Sequence, residues 1–83
     1  MKLTDLPNIG PNAEKQLTEV GIATAEALVE AGAEQAWLQV KTIDPGVCLH
    51  MLYALEGAVE GIPKKELSPE RKAELKAFFD AEK

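Results

Sequence analysis

Asn8, Ile9, Gly10 and Asn12, with Lys15 one helical turn further on, are the residues of this chain whose types and spacing could hold a ligand. They surround Pro11, where a helix is expected to start. An apolar residue followed by glycine, just ahead of a helix, aims the first backbone N–H groups of that helix outward. Those unpaired donors and the positive end of the helix dipole suit an anion, above all a phosphate. In the same turn Ile9 can plug into a core, and Gly10 can accept a backbone conformation or close approach that a side chain would hinder. Asn8 stands where such turns usually open on glycine, a swap that the fold survives because Asn tolerates the left-handed conformation. Two readings follow: the turn is architecture or binds protein, or it touches the phosphates of a nucleic acid.

Charge separates them. The 83 residues hold nine Lys and Arg against fourteen Asp and Glu, a net charge of -5. Residues 1–32 are acidic too, with Lys2 and Lys15 facing Asp5, Glu14, Glu19, Glu26 and Glu30. Nucleic-acid affinity comes largely from neutralised phosphates, so nucleic acid is disfavoured and a protein partner, of unknown identity, is expected instead. The five bases Lys64, Lys65, Arg71, Lys72 and Lys76 are interleaved with Glu66, Glu70 and Glu74, which reads as a solvated, salt-bridged helix face.

A second constellation is Ala54, Gly57, Ala58 and Gly61, a strip of small residues inside what reads as a helix. Two interior glycines cost about 1 kcal/mol each relative to Ala, so something must come close enough to offset them. That neighbour is expected to be another helix, within the monomer or across a homodimer or partner face.

No catalytic residues are expected. Ser68 is the only serine and reads as a helix cap, and His50 has no second ligand for a metal, so it reads as a surface or satisfied core residue. The single cysteine, Cys48, excludes an internal disulfide and a Cys/His zinc framework, and reads as a small core residue. Trp37 and Tyr53 read as core. No cofactor and no metal are expected. One cysteine suits a reducing cytoplasm, and neither a signal-peptide h-region nor the roughly 18 apolar residues of a membrane helix is present.

The elements that must position these residues are helices. Aromatics are 5% of the chain, no segment alternates over the length of a strand, and Ala, Glu, Leu and Lys dominate. A short turn over residues 4–6 is expected to begin at an N-cap Thr4 and stop at Pro7. Pro11 then opens a helix over 11–20, closed by Gly21, and Thr24 caps another, closed by Gly32. A fourth, over about 33–42, carries Ala36, Trp37 and Val40 and breaks at Asp44, Pro45 and Gly46. Cys48, Leu52, Leu55, Val59 and Ile62 make the apolar stripe of the longest helix. Ser68, Pro69 and Glu70 open the last, whose apolar face is Leu75, Phe78 and Phe79. The expectation is all-α: a compact bundle of five to six short helices, beginning with a helix-hairpin-helix-like unit.

Two blocks, LTDLPNIGPNAEKQLTEVGIATAEAL and LYALEGAVEGIPKKELSPERKAELKAF, in that order and spacing, resemble the C-terminal domain of the TfoX (Sxy) family of bacterial competence regulators over nearly the whole chain. The match rests on Leu6, Pro7, Asn8, Gly10 and Pro11 in the turn, and on Leu52, Tyr53, Ala54, Leu55, Glu56, Gly57, Ala58 and Gly61 in the second block. The resemblance implies a helical, non-enzymatic module linked to the regulation of competence and DNA-uptake genes, and it transfers no catalytic residue. In the family this domain commonly follows a separate N-terminal domain. Here the first motif stands almost at residue 1, so a single domain, 1–83, without that partner is expected.

Overall fold

The computed structural model describes residues 1–82 and is all-α, with five α-helices, two 3-10 turns and no strand among those residues. Local chemistry sets the helix starts. Helix α1 (Pro11–Glu19) has Pro at its first position behind the extended Gly10. Helix α2 (Ala25–Ala31) is capped by Thr24, whose Oγ1 accepts the Ala27 N–H at 3.1 Å. Only Gly32, at φ 83°, separates α2 from α3 (Ala33–Lys41). Helix α4 (Leu49–Glu60) follows a tight turn in which Asp44 Oδ1 accepts the Gly46 N–H at 3.2 Å. Helix α5 (Pro69–Glu82) starts at Ser68, whose Oγ accepts the Arg71 N–H at 3.1 Å.

The first 3-10 turn, Leu3–Asp5, corrects the expectation that Thr4 caps a turn over residues 4–6. Leu3 is fully buried and anchors the turn one residue earlier, and the Asp5 carboxylate accepts the Lys2 N–H at 3.1 Å. The second, Lys64–Glu66, lies between α4 and α5 and has no periodic signal in the sequence.

Helix α3 packs along α4, and α4 in turn meets α5 and the second 3-10 turn, while α1 and α2 close against α3 and the first turn. Leu3, Leu17, Leu28, Trp37, Val40, Leu52, Leu55 and Leu75 are the largest fully buried side chains. Burial of one such leucine contributes about 1.5–3 kcal/mol. Trp37 sits at the seam of three helices: its Nε1 donates to the Cys48 carbonyl at 3.1 Å, and its ring meets Phe78 and Phe79 edge to face at 6.0 and 5.6 Å.

Of the residues expected in the core, one is not there and one packs at its edge. Cys48 is exposed, because α4 begins only at Leu49 and the extended Cys48 precedes it; the buried side chain is its neighbour Val47. Tyr53 is half-buried, its hydroxyl 3.5 Å from the Lys72 carbonyl of α5.

Glu56 is a buried carboxylate on α4, held by Arg71 of α5 through a 3.0 Å Nη2–Oε1 contact. Arg71 also reaches Glu74 at 3.2 Å and Glu34 of α3 at 3.9 Å, so one guanidinium ties three helices. Burial pushes the Glu56 carboxyl up, but the hydrogen bond from Arg71, a hydrogen bond with Glu60 and the Arg71 charge together hold it below its ordinary value. Glu60 moves the other way, raised chiefly by its hydrogen bond with Glu56.

Candidate functional site

The turn over residues 6–10 joins the first 3-10 turn to α1, so the leading arm of the hairpin is a single tight turn. Ile9 is buried in the core. Gly10 is extended at φ -95°, with nothing within 4 Å of where a Cβ would stand. Asn12 and Lys15 are exposed on α1. Asn8 is the one non-glycine residue with a positive φ, 70°, among the described residues.

Both ends of the Asn8 side-chain amide turn inward. Nδ2 donates to the Ile62 carbonyl at 3.1 Å and, at the longer distance of 3.4 Å, to the Ala54 carbonyl. Oδ1 accepts the Lys64 backbone N–H at 3.1 Å. The side chain thus pins the hairpin to the end of α4 and to the second 3-10 turn.

Gly57 makes room for that pin. A Cβ at Gly57 would lie 2.7 Å from the Ile62 carbonyl oxygen, nearer still to Asn8 Nδ2, and 3.3 Å from Lys64 Cα. The close neighbour of Gly57 is therefore the Asn8 side chain and the segment 62–64 rather than another helix. Gly61 serves the chain reversal instead. In the left-handed conformation (φ 77°) it ends α4, where Ile62 N–H donates to the Gly57 carbonyl at 2.9 Å and Gly61 N–H to that of Ala58 at 3.2 Å. Ala54, Gly57 and Ala58 are buried within the single chain, and Gly61 is exposed.

Beside the hairpin, Asn12, Lys15, Gln16, Glu19 and Ile43 line an open hollow of about 530 Å³. Its electrostatics do not favour an anion, since Lys15 shares the hollow with Glu19 and Gln16 donates to the Asp44 carboxylate at 3.1 Å. Ile43 is 46% exposed on its rim, a large apolar side chain left uncovered.

The expectation of a salt-bridged basic face holds for only part of the cluster. Arg71 pairs with Glu56 and Glu74, and Lys76 with Asp80 at 2.8 Å. Lys64, Lys65 and Lys72 make no ion pair among the described residues. They converge with His50 and Tyr53 on a second, smaller depression of about 230 Å³. Among the described residues no group of three or more His, Cys, Asp or Glu is placed to hold a metal ion, and no helix is long and apolar enough to cross a membrane.

Residues 1–79 match the model of the TfoX C-terminal domain. The chain belongs to the TfoX C-terminal domain family. It is 38% identical over 80 residues to protein Sxy of Escherichia coli K12, covering 96% of this chain and 38% of Sxy. It is 34% identical over 74 residues to the DNA transformation protein TfoX of Haemophilus influenzae, covering 89% of this chain and 34% of that protein. The chain thus spans little more than a third of either relative. Two crystal structures of Listeria monocytogenes proteins share the fold. An uncharacterized protein in a triclinic form is 42% identical with a TM-score of 0.96, over 98% of this chain and 92% of that one. A protein of unknown function in a tetragonal form is 41% identical with a TM-score of 0.97, over 99% and 100%.

Proposed function

We propose that this chain is a non-enzymatic regulatory domain of the TfoX type, acting through protein contacts in the control of competence or DNA-uptake genes. Its family membership supports the role, since its relatives include a DNA transformation protein. For the mode of action, the observation that carries the reading is the commitment of the Asn8 amide to Ile62, Ala54 and Lys64. The hairpin then serves as architecture, and the uncovered Ile43 beside a polar hollow offers a protein an apolar anchor with a polar rim. The alternative, weak sequence-nonspecific duplex binding through Asn8, Ile9, Gly10, Asn12 and Lys15, has less support, because Glu14 and Glu19 flank the single lysine of α1.

A graft tests this. The chain replaces the homologous segment of Escherichia coli Sxy, and expression of a competence-gene reporter is measured. Activity in the chimera that is lost on Ile43→Asp, with the helical signal unchanged, is the expected result. An inactive but folded chimera, or one indifferent to Ile43→Asp, would overturn the reading.

A further inference from the structure

The depression lined by His50, Tyr53, Lys64, Lys65 and Lys72 is built from three separate elements: α4, the second 3-10 turn and α5. A protein of net charge -5 collects three lysines there without a carboxylate among the lining residues. Of the interleaved glutamates only Glu74 is drawn into an ion pair, with Arg71, and Lys76 pairs with Asp80; no ion pair among the described residues reaches Lys64, Lys65 or Lys72. Such a concentration of like charge costs stability through mutual repulsion, and an anionic ligand would relieve it.

The chemistry of the lining narrows the ligand. The one arginine of the chain is already engaged with Glu56 and Glu74, so the charges left for an anion are the ammonium groups of the lysines. Lysines acting as point charges suit phosphate. Beside them stand two flat rings, the exposed His50 and the half-buried Tyr53, in edge-to-face contact at 6.4 Å. Lysines that track a backbone next to rings on which bases stack are the parts of a single-strand grip. A free nucleotide is a poorer fit, because about 230 Å³ of open depression is smaller than the roughly 300–1,000 Å³ clefts that enclose small ligands. A rigid duplex would also bring many further phosphates against a protein of net charge -5, whereas a flexible strand can confine its contacts to the patch.

We propose that this depression binds single-stranded nucleic acid, with Lys64, Lys65 and Lys72 on successive phosphates and a base against Tyr53 and His50. This site is distinct from the protein contact proposed above and does not use the outward N–H groups of the hairpin, which meets it only where Asn8 holds the Lys64 backbone N–H.

Fluorescence anisotropy of a labelled fifteen-nucleotide oligodeoxythymidine tests it. Three engaged phosphates weaken binding about 20-fold between 50 and 200 mM salt, from a slope of roughly 0.7 per phosphate for single strands. At 50 mM salt the triple variant Lys64→Gln, Lys65→Gln, Lys72→Gln binds at least about tenfold more weakly with unchanged circular dichroism, whereas Lys15→Gln binds as the parent does. Lys65→Glu, a single change at an exposed side chain, gives the same direction should the triple variant lose its fold. Unlabelled single strand displaces the probe better than a duplex, ATP or polyglutamate at equal charge. The proposal is overturned by absence of binding at 50 mM salt, by lysine variants that bind like the parent, or by a duplex, ATP or polyglutamate that competes as well as the strand.

Discussion

Replacing Asn8 separates the two things it does. Asn8→Gly keeps the left-handed backbone and removes the amide, so it loses the 3.1 Å bonds to the Ile62 carbonyl and the Lys64 N–H. Both are solvent-accessible, which puts each near the low end of the usual range, and together they contribute about 1.5 kcal/mol. Asn8→Ala loses the same bonds and also places a Cβ residue at φ 70°, which costs about 1 kcal/mol more. The expected order of stability is Asn8, then Gly, then Ala, with melting temperatures about 6–12 °C and about 10–20 °C below the parent. Urea unfolding followed through Trp37, the only tryptophan and a buried one, reads this directly. Gly57→Ala completes the cycle. Helix propensity alone would make it stabilising by about 1 kcal/mol, but the Cβ meets Asn8 and the Ile62 carbonyl, so it is expected to destabilise. Its penalty should shrink in the Asn8→Gly background, where one of the two obstructions is gone. Equal stability of Asn8→Gly and the parent, or a stabilising Gly57→Ala in the parent, would refute the pin.

Two further outcomes are expected. The Glu56 carboxyl lies below its ordinary value when folded, so the unfolded chain takes up this proton first as the pH falls. The stability it contributes is whole above the ordinary carboxylate range and is lost as the pH drops through the folded value. Arg71→Met should therefore lower stability at pH 7 and flatten its loss between about pH 5 and 3, measured by urea midpoints across that range; an unchanged slope would mean that Arg71 is not what holds Glu56 ionised. Cys48→Ser should leave the urea midpoint within about 0.5 kcal/mol of the parent, since the thiol is exposed and only the backbone carbonyl of that residue serves Trp37; a larger loss would put the side chain back in the core.

Much of the fold was legible because helix boundaries are written in local chemistry. Pro11, Thr24, Gly32, Ser68 and Pro69 each act on backbone groups within four residues, and each stands where the sequence puts it. Periodicity served less well at its edges. Cys48 continues the spacing of Leu52 and Leu55, yet spacing carries no information on where a helix begins, and the turn at 44–47 delays α4 until Leu49. The Asn8–Gly57 contact was half legible. An asparagine in a turn that favours glycine, and a glycine inside a helix, each signalled an unmet steric need; what the sequence could not say is that one fills the other, because 48 intervening residues separate them. The lysine depression was hidden for a related reason. Alternating charge predicts neutralisation along one helix, whereas Glu56, on a different helix, claims Arg71, and Lys64 and Lys65 lie in a 3-10 turn with no helical face.

The Asn8 pin also bears on the order of events in folding. Its bonds join residues 54 and 56 positions apart, whereas α2 and α3 are separated only by Gly32 and α3 packs on the next helix. Closing a long loop is entropically dearer than docking neighbours, so the α3–α4 pair is expected to form the nucleus and the pin to close after the rate-limiting step. Substitutions at Asn8 then act mainly on the unfolding limb of the chevron, leaving the rate of folding nearly untouched. The pin acts as a latch on the finished domain, and what it sets is how long each molecule stays folded.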